Sequence, residues 1–134
     1  MKNSRVREVL IKMDENKIPQ LIVTSMESIF YLTGKMIHPG ERLIALYLDS
    51  KGNHKFIVNK LFPINEDLGV EIVWYDDIEN PIDKLSNVII KGVIEKNGLL
   101  IHITHQRTQI KSLYLTNIYS INGNTSCSGI IETR

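Results

Sequence analysis

Val6, Val9, Leu10 and Met13 stand at i, i+3, i+4 and i+7, the spacing of one face of an α-helix. Ser4 is placed to cap that helix, and Lys17-Ile18-Pro19 ends it. Leu21-Ile22-Val23 then reads as a short buried strand. Ser25 caps a second predicted helix, Met26 to Leu32, and Gly34 supplies a left-handed stop. Phe30 and Tyr31 of that helix are read mostly as core. Leu43 to Leu48 is a near-continuous apolar run. After the turn cluster Asp49-Ser50-Lys51-Gly52-Asn53, the chain returns as Lys55 to Val58, an antiparallel hairpin with a longer loop.

Asn59 to Leu68 reads as a helix that Pro63 makes irregular, and Val70 to Tyr75 as a strand. Asn80-Pro81 starts a helix, with Asn80 as cap, Pro81 at the first helical position and Asp83 in the first turn; Ile82, Leu85 and Ile89 form its buried stripe. Asn97-Gly98 is a turn and Leu99 to Ile103 a strand. Gln106 to Leu115 is a helix, Ile118 to Ile121 a strand, and Thr125 to Glu132 a short last helix. Strands interleaved with helices predict an α/β domain with a mixed sheet covered by helices, and the hairpin argues against an all-parallel one.

Composition narrows the functional classes. The chain has 134 residues, 43% of them hydrophobic, which suits one globular domain with its own core. Lys plus Arg is 16 and Asp plus Glu is 15, so no charge excess points to nucleic acid or a membrane surface. No apolar stretch approaches the roughly 20 residues that span a bilayer. Met1 to Asp14 is charged and amphipathic, without the apolar core of a signal peptide. Cys127 is the single cysteine, which fits a reducing cytoplasm.

The candidate chemistry is thin. A two-metal site needs several carboxylates and usually a histidine converging on one point. His102 and His105 are the one close histidine pair, but a spacing of three along a strand sends them to opposite faces; ordinary surface or half-buried histidines are the favoured reading. Cys127, among Ser126, Ser128 and Gly129, has no adjacent base in sequence and reads as a small semi-buried residue. Gly34 and Gly40 have turn-type explanations, and neither a dinucleotide-binding glycine motif nor a phosphate-binding loop is present.

Ser28-Ile29-Phe30-Tyr31-Leu32-Thr33-Gly34, then Glu41-Arg42-Leu43, then Val70-Glu71-Ile72-Val73-Trp74-Tyr75-Asp76-Asp77 with Asn80-Pro81, follow one another in the order and spacing of a known module. The chain resembles the N-terminal domain of the creatinase/prolidase family of Xaa-Pro dipeptidases and aminopeptidases over nearly its whole length. The resemblance implies a six-stranded mixed sheet with helices on both faces, somewhat ribonuclease-H-like. It also implies a role without catalysis in residues 1–134: dimerisation, and shaping the substrate entrance of a metal-dependent active site. That site belongs to a catalytic pita-bread domain, absent from these residues, which binds two divalent metals, manganese or cobalt, and hydrolyses the bond before proline. The expected partners are a second copy and proline-containing peptides.

The same resemblance places the loop Lys35 to Arg42 near the entrance, with His38, Glu41 and Arg42 as its polar residues. Arg42 suits a planar two-point fork to a peptide carboxylate. Equally, Glu41 and Arg42 suit an internal ion pair fixing the loop to the sheet. Asp76, Asp77 and Glu79 admit a magnesium-dependent nuclease reading, but solvated acids at a helix start are the favoured one. A free-standing binding or assembly module that kept the fold and lost the peptidase is the alternative to the peptidase domain.

Overall fold

The computed structural model describes residues 1–89, 99–103 and 118–122, the last two segments by their backbone. The chain order is α1 (Asn3–Glu15), β1 (Gln20–Val23), α2 (Met26–Thr33), β2 (Ala45–Asp49), β3 (Lys55–Asn59), β4 (Glu71–Tyr75), α3 (Pro81–Val88), β5 (Leu99–Ile103) and β6 (Ile118–Asn122). The sheet runs β4-β3-β2-β1-β5-β6. β2 pairs antiparallel with β1 and β3, while β3–β4, β1–β5 and β5–β6 are parallel. β2 therefore runs against all the others. The mixed unit β1 to β4 with its three helices carries the described side chains, and the site rests on it. The helices expected over Gln106 to Leu115 and Thr125 to Glu132 lie outside the described residues, as do Cys127 and His105. His102 is opposite Val23 in the β1–β5 ladder.

The apolar runs have a physical reason: these strands are covered on both sides, so both sets of alternating side chains must be apolar. On one face Leu21, Val23, Leu46, Leu48, Phe56 and Val58 meet Val6 and Met13 of α1 and Ile29 and Leu32 of α2. On the other, Ile22, Ala45, Tyr47, Ile57 and Tyr75 meet Leu85 within α3 and Ile89 just past its end. Leu85 is fully buried, and Ile82 packs against the same cluster while partly exposed.

Local chemistry sets the helix ends. The Ser25 hydroxyl accepts from the Ser28 amide at 3.3 Å, and the Asn80 side chain accepts from the Ile82 amide at 3.0 Å. Gly34 closes α2 at φ 80°, its amide donating to the Phe30 carbonyl at 2.8 Å.

Three local expectations are corrected. Ser4 lies inside α1, whose cap position is Lys2; there the backbone does the work, the Lys2 carbonyl accepting from Arg5 and Val6 while the Lys2 amide donates to Leu32 at 2.7 Å. Asn59 to Leu68 is not a helix: Asn59 ends β3, and the residues after it form a turn-rich connection. The Asn59 side chain accepts from the Leu61 amide at 2.9 Å and that of Asp67 from the Gly69 amide at 2.7 Å. Such bonds compete with a helix, and Pro63 adds a residue that cannot donate. Phe30 and Tyr31 are 43% and 47% exposed rather than core, because Ile29, Leu32 and Thr33 take the inward arc of α2. The Arg5 guanidinium lies 4.3 Å from the centre of the Tyr31 ring and covers part of it.

A charged corner at the strand ends

Because β2 opposes its neighbours, its start lies beside the ends of β1, β3 and β4. In open α/β sheets that carboxyl edge is where ligands are usually taken. Here it gathers the loop before β2, the turn after β3 and the turn after β4. A shallow concavity of about 160 Å³ opens there, lined by Glu41, Arg42, Leu43, Tyr75, Asp76, Asp77, Glu79 and Pro81.

Ile37, 5% exposed, anchors the loop from α2 to β2 in the core, and the Arg42 amide donates to the Pro39 carbonyl at 3.1 Å to close its turn. Of the three residues expected at an entrance, Glu41 and Arg42 line the concavity. His38 is exposed on the same loop but does not line it.

The Arg42 fork meets Asp77: Nε donates to Oδ1 at 2.9 Å and Nη2 to Oδ2 at 2.8 Å. This is the bidentate arrangement that favours arginine over lysine. This carboxylate comes from the far side of β3, and Glu41 adds to the attraction felt by Arg42. Asp77 Oδ1 also accepts from the buried Asn59 side chain at 2.9 Å. The guanidinium bond lowers the Asp77 carboxyl below the usual range, opposed by burial and aided by Asn59; the same bond raises Arg42 above its ordinary value.

Two further pairs surround this one. Lys60 donates to Asp76 at 3.1 Å and holds that carboxyl below its ordinary value. Lys84 meets Glu79 at 2.7 Å and, through that hydrogen bond, lowers Glu79. Glu79 also accepts from the Asp76 amide at 3.0 Å, which fixes the turn into α3. The three acids read as solvated are therefore each tied to a cation. At the back of the corner Tyr75, 2% exposed, donates its hydroxyl to the Leu43 carbonyl at 2.8 Å, and burial pushes its phenol up.

Chemically, the arrangement fixes loops. Among the described residues no group of three or more histidine, cysteine, aspartate or glutamate side chains converges on a possible metal position. The acids of the corner are committed to ion pairs with Arg42, Lys60 and Lys84. Also among the described residues, no helix is long and apolar enough to cross a membrane.

Sequence reasoning found Arg42 but missed Asp77, Asn59 and Tyr75 as its setting. Arg42 and Asp77 are 35 positions apart, and only strand order brings them together.

The geometry defines a class: a small α/β domain with one reversed strand and an ion-paired corner at its carboxyl edge. The chain belongs to the creatinase/prolidase N-terminal domain family, whose model matches residues 5–107. It is 27% identical over 110 residues to an uncharacterized peptidase of Staphylococcus epidermidis, covering 79% of this chain. It spans 31% of that relative's length, about a third of the length of the curated relatives it matches. The creatinase/prolidase N-terminal domain of an X-Pro dipeptidase from Streptococcus pyogenes superposes with a TM-score of 0.70 at 17% identity, covering 89% of this chain and 94% of that one. A prolidase from Thermococcus sibiricus matches with a TM-score of 0.71 at 21% identity, over 91% of this chain and 34% of its own. A dipeptidase from Pyrococcus horikoshii gives 0.70 at 23%, over 88% and 33%.

Proposed function

We propose that this chain serves as the non-catalytic N-terminal domain of a cytoplasmic Xaa-Pro dipeptidase or aminopeptidase. It supports a homodimer and shapes the substrate entrance of a metal-dependent site carried elsewhere in the longer protein. The observation that carries this reading is the family match over residues 5–107 in a chain that spans 31% of its curated relative. The corner supports it from the chemical side. Charges locked in pairs suit a wall that must hold its shape, and a wall needs no nucleophile or metal of its own.

In this reading the loop with His38, Glu41 and Arg42 faces the entrance. The two-point bond to Asp77 gives Arg42 a positioning part, because a fork already filled by one carboxylate must release it before taking another. His38 and Glu41, both exposed, are the residues that meet a proline-containing peptide. Manganese or cobalt belongs to the site outside these residues.

The alternative is a free-standing binding or assembly module. Its support is the same corner, whose Asp76, Asp77 and Glu79 are each held in an ion pair, as suits a surface of fixed shape.

The purified chain is expected to leave an Ala-Pro dipeptide intact with manganese added. Chelator-sensitive turnover would overturn the non-catalytic reading. The intact mass of the native protein separates the two proposals: a much heavier species supports the peptidase domain, and 15.4 kDa supports the module.

A further inference from the structure

The geometry points to the outer edge of β4 as a self-pairing edge, which joins β4 of a second copy of this chain in antiparallel register centred on Val73. This rests on the homodimer proposed above and names its surface.

β4 ends the sheet order and has β3 as its sheet neighbour. The Lys60 amide donates to the Tyr75 carbonyl at 2.8 Å, so the backbone groups of Tyr75 face β3. Alternation along the strand turns those of Val73 and Glu71 the same way. The amides and carbonyls of Ile72 and Trp74 then point outward, and among the described residues no strand pairs with them. Exposed edges are ordinarily blunted by lysine, proline, a bulge or a covering element. Glu71-Ile72-Val73-Trp74-Tyr75 has no lysine or proline, and its register with β3 is unbroken from Lys55↔Glu71 to Asn59↔Tyr75.

The chemistry of this strand fits its own copy. A two-fold axis through Val73 puts Ile72 opposite Trp74 of the other copy, and Trp74 opposite Ile72. Both residues have outward backbone groups, so each such pair exchanges two hydrogen bonds, while Val73 faces Val73 as a non-bonded pair. Ile72 and Trp74 lie on the same face of the sheet, so a β-branched side chain meets an aromatic one across the axis in both places. Charge does not oppose this register. Glu71 is paired with Lys55 and Asp76 with Lys60, which neutralises the acids at the two ends of the strand.

The test is a charge exchange at Val73, half-buried on the α3 face. Light scattering with size exclusion is expected to give the wild-type chain twice its 15.4 kDa mass. Val73→Lys and Val73→Glu alone each give the single-chain mass, because like-charged side chains then rise from Cβ atoms about 5 Å apart across the axis. An equimolar mixture of the two restores the double mass. Amide exchange of the unaltered chain reads the same edge without a substitution: the Ile72 and Trp74 amides slow as concentration rises. A wild-type dimer that both variants retain, with exchange at these amides independent of concentration, overturns the β4 edge and leaves the homodimer reading standing. A wild-type chain at 15.4 kDa over the whole concentration series removes the homodimer itself.

Discussion

Tyr75→Phe removes one oxygen from the back of the charged corner and leaves the rest of the ring in place. The hydroxyl donates to the Leu43 carbonyl at 2.8 Å, with Tyr75 2% and Leu43 0% exposed. Leu43 precedes the first ladder position of β2, Ala45, so its carbonyl lies outside the β2–β3 ladder. An ordinary hydrogen bond contributes about 1 kcal/mol, but a buried acceptor left without its donor costs about 1–3 kcal/mol. The expected loss is about 2 kcal/mol. With an unfolding entropy of about 2.1 cal/mol/K per residue, that lowers Tm by about 7 °C for a chain of this length. In urea it moves the midpoint down by about 1 M at unchanged slope. Trp74 is the chain's one tryptophan and the residue beside Tyr75, so its fluorescence reports the transition directly. A loss below about 0.5 kcal/mol would show that the bond is not what tethers the loop before β2 to β4. The alkaline limb gives an independent check. Burial raises the Tyr75 phenol above its ordinary 10.0, so the folded state holds that proton more tightly than the unfolded state. The resulting stability is complete below the ordinary value and is lost as pH rises through the folded one. Tyr75→Phe removes that component, and an unchanged alkaline slope would refute the assignment.

Two further outcomes follow from backbone geometry and burial. Gly34→Ala places a side chain at φ 80° with its Cβ 2.8 Å from Lys2 Cε, which is flexible and moves aside; the left-handed conformation alone costs about 1–2 kcal/mol, measured as a lower urea midpoint, and an unchanged midpoint would refute it. Burial lowers His54 below its ordinary 6.5, against the pull of Asp49, and its Nδ1 accepts the Asp49 amide at 3.3 Å. A depressed folded pKa means stability that is present above 6.5 and lost as pH falls through the folded value. Midpoints measured from neutrality downward should show this loss, and His54→Gln should flatten it; an identical acid limb in the variant would sink the assignment.

The parts of the fold legible in the sequence are those decided locally. Ser25, Gly34, Asn80 and Pro81 mark helix ends because capping and left-handed turns depend on the residue in place, and the structure finds them there. The apolar runs announced strands because both faces are covered. Legibility failed where a local signal had a competitor. Asn59 to Leu68 has helix-like spacing, yet Asn59 and Asp67 bond their own backbone two residues on. Phe30 and Tyr31 are large and aromatic, but an eight-residue helix has room for one inward arc, and Ile29, Leu32 and Thr33 fill it.

The site was legible as a list of residues and illegible as an arrangement, and the difference bears on what Arg42 does. From sequence, Arg42 has a neighbouring acid, Glu41, and a possible substrate carboxylate, and nothing decides between them. Strand order adds a third carboxylate, Asp77. β2 runs against β3 and β4, so the residue before β2 stands beside the residues after β4, and Asp77 reaches the fork from 35 positions away. Asn59, buried at the end of the strand between them, donates to the same carboxylate. A carboxylate held by both a neutral amide and a guanidinium fork is oriented before any ligand arrives. The same fork that orients it draws the loop before β2 onto the end of β4. The corner is therefore a surface of fixed shape, with His38, Glu41 and the 95% exposed Ile78 on its outer side.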